Sequence, residues 1–210
     1  MVDTLKKEGM KGVMRCASES LCLDFVNTVA WRKSDASEER LASPQAMIDW
    51  SRRAGLVGAR DAAQLRQRWI TRVDEAHDAY SQAVQLREAI YRTFTQGAPS
   101  DALRVVNQVI AAAPPRACLA LSDGMIGWKV KSSRPVDIHL LAPIAWSAAD
   151  LLAGPRAQRV RQCEDERGCG WLFLDQSRGG TRRWCSMGDC GNRAKAHRHY
   201  LRQKQQRQSA

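Results

Sequence analysis

Four cysteines in the last quarter of the chain, Cys163, Cys169, Cys185 and Cys190, constrain its fold more than any other feature. They form a Cys-x5-Cys pair and a Cys-x4-Cys pair with fifteen residues between them. Tetrahedral zinc accepts four sulfurs at ~2.3 Å, so a segment too short to bury its own core can still take a defined shape around the ion. Glycine follows each second cysteine, in Cys169-Gly170 and Cys190-Gly191, which allows a tight turn that points backbone N–H groups at sulfur. Four soft ligands leave no open coordination position. The expected cofactor is therefore one Zn2+, structural and not catalytic.

The rest of the composition sets the surroundings of that module. The chain has 210 residues, enough for one ordinary domain plus a small one, and its hydrophobic content of 44% is that of a globular protein. Residues 1–15 mix charge and glycine without an apolar core, unlike a signal peptide, and no stretch approaches the ~20 apolar residues of a membrane span. A soluble cytoplasmic protein with no membrane partner is expected. Thiols stay reduced in that compartment, which favours metal over disulfide for the quartet. Cys16, Cys22 and Cys118 lie in apolar surroundings and are expected to be small buried hydrophobes. The net charge of +11 is unevenly spread: residues 155–210 hold 13 Lys/Arg against 5 Asp/Glu, whereas residues 1–154 hold 20 against 17. Charge concentrated on a small module points to a polyanionic partner, most simply nucleic acid.

Hydrophobic periodicity places the elements before the module. Residues 13–31 read as extended structure, with Asp24, Asn27 and Thr28 set inside the apolar run from Leu21 to Val29. Ser43-Pro44 opens a helix that Gly55 ends. Asp61 reads as the cap of one long amphipathic helix running through Leu65, Trp69, Val73, Ala76, Tyr80, Ala83, Leu86, Ile90 and Phe94. Residues 97–100 break it, and a shorter helix follows through Leu103, Val106 and Ile110 until Pro114-Pro115. Residues 118–121 and 125–131 flank an Asp123-Gly124 turn as a hairpin, and Pro135 starts a helix closed by Gly154-Pro155. The fold class is thus α+β. A mostly helical domain with a small sheet spans residues 1–154, followed at 155–210 by the zinc module.

Within the module, Arg159 to Gln162 reads as a strand entering the first pair. Trp171 to Leu174 and Thr181 to Trp184 read as a hairpin around the turn at residues 177–180, with zinc holding both ends. Trp171, Phe173 and Trp184 supply a small core. Residues 193–208 are helix formers, so Cys190 sits near a helix start, where the positive dipole end favours thiolate. Knuckle, hairpin and ligand-bearing helix describe a treble-clef-like finger. Lys195, Arg198 and Arg202 share one stripe of that helix, and Arg193, His197, Tyr200 and Lys204 another, leaving Ala194 and Leu201 to pack inward. Arg182 and Arg183 add charge beside the metal. Four thiolates on zinc carry a formal charge of −2, so Arg182 and Arg193 can equally serve to balance it.

Cys190-Gly191-Asn192-Arg193 is the sequence CGNR. With Arg161, Cys163, Cys169-Gly170, Phe173, Asp175 and Arg183-Trp184-Cys185 it resembles the CGNR zinc-finger family over about 50 residues. The run Leu23-Asp24-Phe25-Val26-Asn27-Thr28, with Trp50, Gly55-Leu56 and Trp128, is similar to the ABATE domain usually paired with that finger. The resemblance implies a bacterial, stress-related transcription regulator.

The residues admit four functions. A duplex-DNA-binding regulator would insert the helix from Arg193 into the major groove. Arg182, Arg183, Arg193, Lys195, Arg198 and Arg202 would contact DNA, and Asn192 would either cap the helix or reach a base. Binding of RNA or single strands would use Trp171, Trp184 and Tyr200 as stacking faces. A protein-interaction finger would show less charge. An enzyme is not expected: no nucleophile–base pair, phosphate loop or HExxH appears, His77 and His139 read as helix-face residues, and His197 and His199 are two apart. Asp24, Asn27 and Thr28 are candidates for a small-molecule effector pocket, or else brace the local fold. A homodimer reading two half-sites fits the DNA hypothesis.

Overall fold

The computed structural model describes residues 13–14, 20–116, 118–122, 125–129 and 136–208. Cys16, the Asp123-Gly124 turn and Pro135 lie outside them. In chain order the elements are β1 (Val13–Met14), α1 (Leu21–Val26), β2 (Val29–Ala30), β3 (Glu38–Glu39), α2 (Pro44–Arg53), α3 (Ala59–Thr71), α4 (Val73–Thr95), α5 (Ser100–Ala112), β4 (Cys118–Ser122), β5 (Met125–Lys129), α6 (Val136–Ala153), β6 (Val160–Gln162), β7 (Leu172–Leu174) and α7 (Asn192–Gln208). Among the described residues the strand pairs are antiparallel: β1-β5-β4, β2-β3 and β6-β7. Among the described residues no helix is long and apolar enough to cross a membrane.

The chain is organised around α6. Residues 140–148 are buried on every side, as a central helix apolar all round must be. It packs against α1, α4 and α5 in spite of Pro143 inside it. On one flank Leu140, Leu141 and Ile144 join Phe25, Leu86 and Ile90 in the main core, while Ala142 and Trp146 form a smaller cluster with Ala113 on another. Phe25 also meets Trp50 of α2, with ring centroids 5.1 Å apart. Ser43 caps α2 as expected, its hydroxyl accepting from the Ala46 amide at 3.1 Å, and Gly55 ends the helix at φ +74°.

In these elements the structure departs from the sequence expectations at four points. The segment from Leu21 to Val26 is a helix, not extended. It buries Leu21, Cys22, Leu23, Phe25 and Val26 while exposing Asp24, and so contiguous an apolar run has no period to tell strand from buried helix. The single long helix from Asp61 is two helices, α3 and α4, broken at Arg72 with φ −125° and ψ 68°. Gly58, not Asp61, is the N-cap residue of the first. The spacing of four ran on through Val73, but Val73 is exposed at the break. Cys118 is exposed on the outer strand β4, whereas Cys22 is fully buried, as expected of a small hydrophobe. Burial pushes the Cys22 thiol up to about 11.

Candidate metal centre

The four cysteine sulfurs lie within 4.8 Å of one another. Cys169 and Cys185 Sγ are 3.8 Å apart, and Cys185 and Cys190 Sγ 3.6 Å. Four sulfurs at ~2.3 Å from a tetrahedral ion stand ~3.8 Å from each other, and a disulfide would hold two at ~2.05 Å. The quartet therefore fits one structural zinc. Without a cation, four thiolates cannot coexist at this distance. Donation from the Cys169 and Cys185 thiols pulls Cys163 far down, and that same bond to Cys163 pushes Cys169 and Cys185 up. Zinc supplies the positive charge that lets all four ionise.

Each ligand is placed by a local device. Cys163 leaves β6 and donates its amide to the Trp171 carbonyl at 2.7 Å. Its neighbour Glu164 donates to the Arg183 carbonyl at 3.0 Å, tying the two cysteine pairs together. The first knuckle turns through Gly168 at φ +95° and Gly170 at φ +67°. At Gly168 a Cβ would stand 2.8 Å from the Lys33 carbonyl carbon, so glycine is required there by space as well as by dihedral. Gly191 does not have positive φ. A Cβ there would stand 3.1 Å from Met187 Sδ, a contact that the exposed and flexible methionine can relieve, so space alone does not require glycine at this position. Cys190 sits on a wide π turn, Met187–Gly191, that runs into α7.

The expected hairpin between Trp171–Leu174 and Thr181–Trp184 does not form. β7 pairs with β6 across the first knuckle instead, in the register Arg161–Phe173. Residues 181–184 return without a ladder because the buried Asp175 carboxylate organises them. It accepts from the Ser177 amide at 2.9 Å, the Ser177 hydroxyl at 2.6 Å and the Arg182 amide at 3.0 Å. The Ser177 hydroxyl leads the contacts that hold Asp175 below the usual carboxylate range. Phe173 packs with the cysteines, and Trp171 and Trp184 lie against that cluster.

The basic residues named from the sequence divide into two sets. Arg193 donates to Asp165 Oδ2 at 3.1 Å, to Cys190 Sγ at 2.8 Å and to Asp189, and its guanidinium lies 4.9 Å from the Trp31 ring centroid. Arg182 donates to the Trp184 carbonyl at 2.8 Å and to the Cys185 carbonyl, and covers Phe173 at 4.8 Å. Both guanidinium groups are bonded into the metal centre. Arg183 is exposed and paired with Glu164 at 2.5 Å. Lys195, Arg198 and Arg202 are exposed on α7. Asn192 does not act as an N-cap acceptor: it is already helical at φ −68° and donates its Nδ2 to the Gly188 carbonyl at 3.0 Å. Leu201 does not pack inward but is 41% exposed.

The N-terminal motif is built into the finger. Asn27 donates Nδ2 to the Leu172 carbonyl at 2.8 Å and accepts from the Leu172 amide at 2.9 Å. Its side chain thereby imitates a neighbouring strand along β7. Trp171 Nε1 donates to the Val29 carbonyl at 2.9 Å, and the Arg32 and Lys33 amides donate to the Cys169 and Gly168 carbonyls at 3.2 and 3.0 Å. Leu172 itself belongs to the main core. Asp24 and Asn27 line an open cleft of about 390 Å³ between α1 and β7. Thr28 does not face it. Its hydroxyl is buried, donating to the Phe25 carbonyl at 2.8 Å and accepting from Arg87 at 3.2 Å.

Sequence reasoning missed the ion network beneath this seam. Arg87, with its side chain 3% exposed, binds Glu39 through both terminal nitrogens at 2.7 and 2.6 Å and Glu88 through Nε at 2.9 Å. Arg32 bonds Glu88 at 2.8 Å and stacks 4.3 Å over Tyr91. A signal was present: Arg87 sits between Leu86 and Ile90, on the apolar side of α4.

Comparison with known families agrees with this geometry. Residues 19–155 match the ABATE family model, described as "Putative stress-induced transcription regulator", and residues 159–203 match the CGNR zinc finger. A helical domain whose opening motif is locked to a four-cysteine finger defines the class, and the chain belongs to the ABATE family with a C-terminal CGNR zinc finger. No curated protein matches the chain.

Proposed function

We propose that the protein binds duplex DNA through α7 and regulates transcription, with zinc holding the base of that helix. One observation carries the reading. α7 contains Arg193, Lys195, Arg198, Arg202, Lys204 and Arg207 and no acidic residue. All but Arg193 are exposed, and among the described residues none of those five makes an ion pair. Elsewhere Arg32, Arg66, Arg68, Arg87, Arg92 and Arg116 are matched to carboxylates, and exposed arginines without an ion pair, such as Arg52, Arg60 and Arg104, stand among acidic neighbours in the sequence rather than on an all-basic helix. Unmatched cations on a rigid helix repel one another unless a polyanion neutralises them. The 17 residues of α7 span ~26 Å, and the major groove of B-DNA, ~12 Å wide, admits a helix.

The DNA-facing set on this reading is Lys195, Arg198 and Arg202, with Arg183 at the edge. Arg182 and Arg193 act from behind, by holding the finger rigid. Single-strand binding has less support, because Trp171 and Trp184 both pack against the metal cluster. Fluorescence anisotropy against a duplex library over a range of salt tests the proposal. Binding that weakens with salt at a log–log slope of about −3 or steeper is expected from at least three phosphate contacts. No binding at low salt, or equal or tighter binding to single strands, refutes it.

A further inference from the structure

We infer that the cleft between α1 and β7 is a binding site for a small organic cation, an ammonium carried on an apolar body, whose occupancy reports directly on the zinc finger. Its volume, about 390 Å³, lies in the range of small-molecule sites. Asp24 lines its wall, and the hydroxyl of Ser20, at 3.5 Å, is the one hydrogen-bond partner of that carboxylate among the described residues. Asp24 makes no ion pair with a cation among the described residues, so the charge it brings to the cleft wall is unneutralised by a side chain bonded to it. Most other lining groups are apolar or neutral, among them Leu23, Trp171 and Phe173 with the amides of Asn27 and Gln176, and the metal ligand Cys185 also lines the cleft. The Phe173 and Trp171 rings already carry the Arg182 and Arg40 guanidinium groups at 4.8 and 5.4 Å, so a ligand's charge would go to Asp24 while its hydrocarbon body leaves water against the apolar lining. Although Asp24 is exposed, partial desolvation by its surroundings raises its carboxyl above the usual value.

The two walls belong to different parts of the protein. Leu23, Asp24 and Asn27 come from the N-terminal motif, and Trp171, Phe173 and Cys185 from the finger. A ligand spanning them adds contacts only while the finger is docked, so binding and docking must favour each other. The site stands on the cleft geometry and not on the DNA reading.

Three probes that share one ring and differ in charge provide the test: phenethylammonium, phenethyl alcohol and phenylacetate, titrated calorimetrically into the zinc-loaded full chain. Phenethylammonium is expected to bind at least tenfold more tightly than the alcohol, and phenylacetate not at all. Asp24→Asn should erase that preference with little change in melting temperature, and Asp24→Lys, which supplies its own ammonium, should block binding. Zinc transfer to a colorimetric chelator should be slowed by phenethylammonium in the parent chain but not in Asp24→Asn. Equal affinity for the three probes, or a preference that survives in Asp24→Asn, overturns the site. Binding that leaves zinc release unchanged overturns its link to the finger. No readout contains DNA, so either failure leaves the DNA proposal to its own experiment.

Discussion

Replacing Asn27 by alanine removes a side chain that bonds both backbone groups of Leu172. Leu172 is 2% exposed and lines the cleft, so its amide and carbonyl lose partners in a largely buried place. Each lost bond costs about 1 kcal/mol, and more where the orphaned group stays dry, up to about 3 kcal/mol. Two bonds with partial access to water give about 2–4 kcal/mol, a large share of the ~5–15 kcal/mol that holds a domain together. At this chain length the melting temperature should fall by about 4–16 °C. Scanning calorimetry of zinc-loaded Asn27→Ala measures the fall, and hydrogen exchange locates it. The Leu172 amide should lose protection while amides in α6 keep theirs. A melting temperature within 2 °C of the parent, with Leu172 still protected, would show that Asn27 does not fasten the finger. The seam would then have to rest on Trp171 and the residue 32–33 backbone alone.

Other expectations follow from the same geometry. Replacing Lys195, Arg198 and Arg202 together by alanine should shrink the salt slope of DNA binding by about 3 while leaving zinc content unchanged, as anisotropy and metal analysis will show. Gly168→Ala places a Cβ 2.8 Å from the Lys33 backbone at φ +95° and should destabilise the protein by about 2–4 kcal/mol in urea melts, whereas the same change at the open Gly55, also at positive φ, should cost less. Removing zinc with a strong chelator should unfold the finger, seen as lost protection of the β6 and β7 amides, with α4 and α6 retained. Glu88 is opposed by burial, yet its bonds to Arg32 and Arg87 hold its carboxyl below the ordinary value. The stability it contributes is therefore complete above the unfolded value of ~4.3 and is lost as pH falls through the lower folded value. Glu88→Gln should flatten the acid limb of the melting-temperature profile, and an unchanged limb would remove Glu88 from the cause.

Cysteine spacing alone determined the metal centre, because tetrahedral coordination by four thiolates leaves so few choices of residue and geometry. Periodicity likewise located most helices, since an amphipathic face repeats wherever it packs. It failed where no period existed or where one ran past a break: the contiguous apolar run at Leu21–Val26 hid a helix, and Val73 continued the spacing of α3 across a kink. Charge counting found the basic helix but could not say which cations are free. That needed the fold, which spends Arg193 on Asp165 and Cys190 and leaves Lys195 and Arg202 in water. Tertiary structure also decided that β7 pairs with β6, and that Asn27, 145 residues from Leu172, completes its hydrogen bonds. Local sequence carries dihedral preference and hydrophobic rhythm, whereas a hydrogen bond between distant segments exists only once both are held in place, here by a shared core and an ion.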